Sequence, residues 1–351
     1  MARFDVVVRA LDAVDPHPNA DRLELAAIGG YRAVVAKGDF ARGELIAYIP
    51  EGAVLPADLI AKMGLDGKLA GPAHNRVHAV RLRGALSQGL VVKCKAHWTD
   101  GQSVMNELGV TKFEPEIPEE LKGAAYALER DEGLTFDLEN IKAFPNVLND
   151  GEEVVFTEKI HGVFLAVGAH PVATNARHVE GKAWVGSKGL FAGRMAFDHS
   201  VDNPNVYVRM AIAHKLYHHA MMLAQEFEQT VFILGEAFGT GVQDLGYGQS
   251  SQFRVFSIVI NGVFVNDAQL EQLIAQMGLQ RAPVVYRGPF SQAILEEHTQ
   301  GRENISGQAL HVREGVVVTP VTERIDPQLG RVALKSVSEA YLLRKNGTEF
   351  S

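Results

Sequence analysis

A small antiparallel β-barrel followed by a larger domain of mixed α/β build is the fold class this sequence predicts, and three observations carry it. Residues 1 to about 95 run as short alternating segments broken by turns such as Ile28-Gly29-Gly30-Tyr31, Lys37-Gly38-Asp39, Arg42-Gly43-Glu44 and Arg83-Gly84-Ala85, a spacing typical of small barrels. The second half instead sets apolar strand-like runs around one long helical stretch. The length of 351 residues suits about two domains, each large enough to bury its own core.

In chain order, the barrel gives way at about residue 96 to a polar, proline-bearing stretch, Phe113-Glu114-Pro115-Glu116-Ile117-Pro118-Glu119. It continues through Phe136-Asp137-Leu138-Glu139-Asn140-Ile141 and reads as a connector with some helix. Val154-Val155-Phe156 is the core of a buried-type strand, closed by Thr157-Glu158-Lys159-Ile160-His161-Gly162. After Pro204, one helix is expected from Val206 to Glu228, covering the sheet. His214 and His218 fall four apart on it, beside His219, but no carboxylate motif accompanies them, so they read as surface or packing residues,. Three more strands follow: Val231-Phe232-Ile233-Leu234-Gly235-Glu236, Glu314-Gly315-Val316-Val317-Val318 and Val332-Ala333-Leu334-Lys335.

Composition narrows the function classes. Hydrophobic content of 46% and charged content of 22% are globular values,. The single Cys94 excludes an internal disulfide and any multi-cysteine zinc site. No apolar run approaches the roughly 18 residues of a membrane span, and Met1-Ala2-Arg3-Phe4-Asp5 is no signal peptide,, so a cytoplasmic protein without membrane contact is expected. The 42 acidic against 34 basic residues, a net charge of −8, argue against non-specific coating of nucleic acid. The basic residues are nonetheless clustered. Arg81 with Arg83, and Lys93 with Lys95, fall at strand spacing in a hairpin-like stretch, so each pair is expected to share a face,.

Lys159 stands out because it sits at the end of an apolar strand. Such an amine either snorkels to solvent, is held by an anion, or has its pKa pushed down and becomes a usable nucleophile. Glu236, Glu314 and Lys335 repeat the design of one charge on an apolar run. Together they form a set able to hold a nucleotide triphosphate with its metal. No P-loop is present, since Gly235-Glu236-Ala237-Phe238-Gly239-Thr240-Gly241 lacks its lysine,.

The order of these motifs resembles the covalent nucleotidyltransferases, and within them ATP-dependent RNA ligases of the nick-sealing type. Lys159-Ile160-His161-Gly162 is similar to their nucleophile motif in its Lys-x-His-Gly form, and Ser187-Lys188-Gly189 to the next motif. Gly235-Glu236-Ala237-Phe238-Gly239 resembles the Gly-Glu-x-x-Gly motif, and Phe253-Arg254-Val255-Phe256-Ser257 the aromatic one; Glu314-Gly315-Val316-Val317 and Leu334-Lys335-Ser336 complete the set. His17-Pro18-Asn19-Ala20-Asp21, Tyr48-Ile49-Pro50-Glu51-Gly52 and Leu82-Arg83-Gly84-Ala85-Leu86-Ser87-Gln88-Gly89-Leu90 resemble the N-terminal OB domain of a bacterial branch of these ligases. The first of these also resembles tRNA-binding OB modules.

The resemblance implies an N-terminal OB-fold β-barrel over 1–125 with its connector, then an α+β nucleotidyltransferase domain over 126–351, ATP-grasp-like and built on antiparallel sheets. It further implies that Lys159 attacks ATP to form lysyl-AMP, that Lys335 neutralises the α-phosphate, and that Glu314 places Mg²⁺ or Mn²⁺. Phe256 would stack on adenine, Glu236 would bind the ribose, and Lys188 would lie near the sugar-phosphate. Glu158 would help read the adenine edge, mainly through its backbone, Gly162 would close the nucleotide loop, and His161 would be a candidate for the later steps. Arg81, Arg83, Lys93 and Lys95 would grip nucleic acid.

Two departures stand out: Val163-Phe164 where the family often has Thr-Asn, and Ala333-Leu334-Lys335 where it often has Lys-x-Lys. The expected substrate is a nick or break in an RNA or RNA/DNA hybrid duplex, sealed by a monomer. The chain ends at Ser351, soon after the last motif, where no further OB domain is expected. A DNA nick ligase, and a non-catalytic tRNA- or RNA-binding protein, are the alternatives.

Overall fold

The computed structural model describes residues 4–114, 119–129, 132–171, 182–200 and 205–344. Pro115 to Pro118 of the expected connector, and Pro204 ahead of the expected helix, lie outside them. The chain divides into two compact units, Ala2–Glu114 with Ile141–Pro145 and Pro115–Asn140 with Asn146–Ser351.

In the N-terminal unit, strand Leu45–Ile49 pairs antiparallel with Val7–Ala10 on one side and Leu90–Lys93 on the other. Ala47 and Ile49 pack with Val6, Leu59 and Trp98. Ile46 and Tyr48 pack with Ala26, Ile28 and Val35. A strand buried on both faces cannot be the wall of a small closed barrel, whose outer face is solvated. The expected β-barrel is therefore corrected: the unit holds separate small sheets, with Ala13–Pro16, Leu23–Ile28 and Tyr31–Ala36 forming another, and among the described residues no sheet closes on itself. Where Tyr31–Ala36 nears the hairpin Val80–Leu82/Ala85–Ser87, there is no ladder. The Ser87 hydroxyl accepts from the Val34 amide and the Gln88 amide donates to Arg32 O.

The tRNA-like motif has a local task in this unit. The buried His17 ring lies 3.0 Å from Leu82 O through Nε2 and accepts from the Asn19 amide through Nδ1. Asn19 Nδ2 donates to Arg83 O. His17 and Asn19 thus brace the hairpin that carries Arg81 and Arg83.

The C-terminal unit is built on two sheets. A seven-stranded sheet runs Ala125–Ala127, Met195–Phe197, Ala183–Gly186, Val163–Ala169, Val231–Phe238, Gln252–Ile260, Val263–Phe264. A five-stranded sheet runs Glu139–Asn140, Leu334–Val337, Gly315–Pro320, Glu153–Glu158, Val284–Pro289. Pairing is antiparallel throughout except at the edge strand Glu139–Asn140, which lies parallel to Leu334–Val337.

The expected single helix is two, Val206–Ala213 and Leu216–Phe227. Lys215 stands between them in the left-handed conformation, φ 54°, which breaks the helical ladder. Both helices still bury one side on the seven-stranded sheet, through Val208, Leu216, Leu223 and Ala224 against Leu165, Val167 and Ile233. Among the described residues, no helix is long and apolar enough to cross a membrane.

Candidate active site

Three neighbouring strands of the five-stranded sheet bring the charges together. Lys159 follows Glu153–Glu158, Glu314 precedes Gly315–Pro320, and Lys335 lies on Leu334–Val337, with Glu158 opposite Val316 and Val317 opposite Lys335. The Lys159 amide donates to Gly315 O at 2.9 Å, which fixes where its side chain starts. The ammonium, 26% exposed, donates to Glu314 Oε1, on a side chain only 7% exposed. The other Glu314 oxygen, Oε2, is buried with no hydrogen-bond partner among the described residues.

Lys335 is held below the usual lysine range by burial and then by the charges of Lys159 and Lys188. Glu236 enters from the seven-stranded sheet, opposite Phe164. Burial, with a smaller push from Glu314, raises its carboxyl to about 8 against the pull of Lys159, the Gly162 amide and Lys188. The structure therefore brings Lys159, Lys188 and Glu314 within electrostatic reach of both Glu236 and Lys335. Lys188 opens the short helix Lys188–Ala192, capped by Ser187, and pairs with Asp137 Oδ1 at 2.8 Å.

Gly162 has no space for a side chain. A Cβ there would collide with Ala237 O and stand 2.8 Å from Glu236 Cγ. Phe256 is half-buried in an aromatic group, its ring 5.4 Å from Phe136 and 5.9 Å from Phe164. The departure Val163-Phe164 is thus apolar packing: Val163 joins the core beneath the sheet and Phe164 stacks on Phe136. Ala333 is likewise buried.

Two further predicted residues have their side chains engaged within the fold. Glu158 is 2% exposed and accepts the Asn304 amide at 2.8 Å, so its side chain secures a loop, and burial pushes its carboxyl up to about 7. His161, 3% exposed, has both ring nitrogens engaged, Nε2 with Asp244 at 2.7 Å and Nδ1 with the Tyr341 hydroxyl at 2.8 Å.

The four basic residues are in the N-terminal unit, but the strand spacing read for them is corrected. Arg83 and Gly84, both at positive φ, form the two-residue turn joining Val80–Leu82 to Ala85–Ser87, as tight hairpins require. Arg83 therefore does not share a strand face with Arg81. Lys95 lies beyond the strand that ends at Lys93 and pairs with Glu107 at 2.7 Å.

Sequence reasoning missed Asp137, Gln243, Asp244, Tyr247 and Tyr341. The only linear signal was the polar loop directly after Gly235-Glu236-Ala237-Phe238-Gly239. Among the described residues, no group of three or more His, Cys, Asp or Glu could hold a metal ion. A divalent ion here would rest on the orphaned Glu314 Oε2 and take its remaining ligands from substrate oxygens and water, as Mg²⁺ commonly does.

The family profile described as RNA ligase matches residues 152–337, more than half of the chain and the whole stretch from Glu158 to Lys335. The chain belongs to the RNA ligase family. A profile for an OB-fold domain matches residues 5–94 of this RNA ligase.

Solved structures agree on the fold. A variant Naegleria gruberi RNA ligase with ATP and manganese is similar at a TM-score of 0.78 and 20% identity, over 96% of this chain and 98% of that one. The Naegleria gruberi RNA ligase with pyrophosphate gives 0.79 and 20%, over 97% and 98%, as does a variant with AMP and manganese. No curated protein matches this chain.

Proposed function

We propose that this RNA ligase uses ATP to charge Lys159 with AMP, passes AMP to a 5′-phosphate, and seals 3′-OH/5′-phosphate nicks in duplex RNA or RNA/DNA hybrid. The observation that carries the reading is the Lys159–Glu314 contact, a partly exposed amine held by a buried carboxylate among further cations. The likeness to RNA ligase structures that hold ATP, AMP, pyrophosphate and manganese supports it.

In the first step the Lys159 nitrogen forms a bond to the α-phosphorus of ATP and the bond to the pyrophosphate oxygen breaks. Between ammonium and phosphoramidate the nitrogen sheds two protons, which repulsion from Lys335 and Lys188 favours. Lys335 neutralises charge on the α-phosphate, Glu236 and Lys188 bind the ribose and its phosphate side, and Phe256 offers a ring to adenine beside Phe136 and Phe164. Bound Mg²⁺ or Mn²⁺, held by Glu314, would supply further neutralisation of phosphate charge. In the second step an oxygen of the 5′-phosphate attacks the AMP phosphorus and the lysine amine leaves, regaining its protons. In the third, the 3′-OH oxygen attacks the phosphorus of the 5′-phosphate, its proton passes to water, and AMP departs.

The N-terminal segment 1–125, with its connector, is read as the grip on nucleic acid, through Arg81, Arg83, Lys93 and Lys95. Its OB-profile match supports the nucleic-acid-binding reading, and its motifs resemble those of a bacterial branch of the family. The net charge and lone cysteine fit a cytoplasmic monomer. The test is a set of nicked duplexes differing in the sugar on the 3′-OH side. Sealing with RNA there and failure with DNA supports the reading; equal sealing favours a DNA nick ligase, and binding without sealing a non-catalytic RNA-binding protein.

A further inference from the structure

We infer that Asp244 and Tyr341 are positioning residues for the nucleophile, acting through His161, which is a clasp in the fold. The inference rests on the reading of Lys159 as nucleophile.

One short loop seizes the turn behind Lys159 at consecutive points. Gln243 Nε2 donates to Gly162 O, the Tyr247 hydroxyl accepts from the His161 amide at 2.8 Å, and Asp244 holds His161 Nε2. Tyr341 closes the other side of the ring from the helix Glu339–Leu342, which directly follows the Lys335 strand. That helix is itself anchored: Ser338 Oγ donates to Arg313 O, next to Glu314, and accepts from the Tyr341 amide. Arg344 ties the two partners together, its Nε 3.4 Å from Asp244 Oδ2 and its guanidinium 3.6 Å from the Tyr341 ring centre.

A neutral imidazole has one donor and one acceptor nitrogen. A carboxylate at Nε2 can only accept, so the ring proton is on Nε2, and Nδ1 accepts from the Tyr341 hydroxyl. With both nitrogens committed and the ring sealed from solvent, His161 has nothing left to offer a substrate. What it does is fix the peptide two residues after Lys159 to the loop and to the helix after Lys335. In-line attack on phosphorus depends on that placement, and a displacement of about 1 Å can cost about 100-fold in rate.

The test compares Asp244→Ala, Asp244→Asn and Tyr341→Phe with the wild type in single-turnover formation of lysyl-AMP across ATP concentrations. The expected result is a maximal rate at least tenfold lower for Asp244→Ala and Tyr341→Phe, with the half-saturating ATP concentration within about threefold of wild type. Asp244→Asn, whose amide oxygen still accepts from Nε2, should recover part of the loss. Nitrogen-15 spectra of the wild type should place the ring proton on Nε2.

Wild-type rates in all three variants, a proton on Nδ1, or loss of activity that merely tracks unfolding would each overturn the positioning role. A wild-type protein that forms no adduct would instead overturn the reading of Lys159, and the inference with it.

Discussion

Lys159 and Glu314, 155 residues apart in sequence, meet ammonium to carboxylate at the ends of two adjacent antiparallel strands. The pairing orients the amine and leaves Glu314 Oε2 without a hydrogen bond among the described residues, 3.8 Å from His161 Nδ1. Both charges are visible in the sequence, and only the strand pairing reveals that they meet.

Replacing Glu314 with glutamine keeps the shape and removes the charge. Lysyl-AMP formation should fall by about 100-fold or more, the scale of losing one preorganised electrostatic partner. The melting temperature should stay within a few degrees, because glutamine keeps the shape of the buried side chain and the partly exposed Lys159 can turn to water. Single-turnover assays beside thermal melts check both; an unimpaired rate would remove Glu314 from the chemistry.

Glu158 makes stability depend on pH. Its carboxyl ordinarily titrates near 4.5 and is raised to about 7 by burial, so between those values the folded chain keeps a proton that the unfolded chain has lost. Its contribution to stability therefore declines as pH rises through that window and is lowest above about 7. Glu158→Gln, which can still accept from the Asn304 amide, should gain on wild type in melting temperature as pH rises from below the ordinary carboxylate value of 4.5 to above about 7. A difference of the opposite sign would show that the Arg313 guanidinium, 3.7 Å away, governs the group.

The same residues show what a sequence can carry. Lys159, Glu236, Glu314 and Lys335 were legible because each is a charge on or beside an apolar strand and the strands come in a specific order. Asp244 and Tyr341 were not, since they reach His161 from 83 and 180 residues away and nothing local marks them. The barrel expectation failed at Leu45–Ile49, a strand apolar at every position, because apolar neighbours from distant segments cover both of its faces. The helix break at Lys215 carries no glycine or proline to announce it. The hairpin turn at Arg83-Gly84 was visible as a turn, yet the strand spacing was still read through it.

Gly162→Ala should damage both fold and activity. The new methyl group would press on a backbone carbonyl that strand pairing holds fixed and on Glu236, and overpacking of this kind costs about 1–3 kcal/mol. Urea unfolding should show the loss of stability, and lysyl-AMP formation should drop even where the variant is fully folded. A stable, active variant would show that the close approach of Gly162 to Ala237 and Glu236 is dispensable.

Arg81 and Arg83 should act on nucleic acid and leave the first step alone. The double alanine variant should charge Lys159 at the wild-type rate and bind a nicked duplex more weakly. The slope of log affinity against log salt should become shallower by about two, roughly one for each phosphate that an arginine no longer neutralises. An unchanged slope would show that the hairpin does not touch phosphate.

The central claim, that Lys159 carries the nucleotide, is tested most directly by incubating the full chain with ATP and Mg²⁺ or Mn²⁺ and mapping the adduct by mass spectrometry. The expected result is one AMP per chain, on the peptide that contains Lys159, and none in Lys159→Ala. An adduct on another residue, or one that persists in Lys159→Ala, would contradict the account.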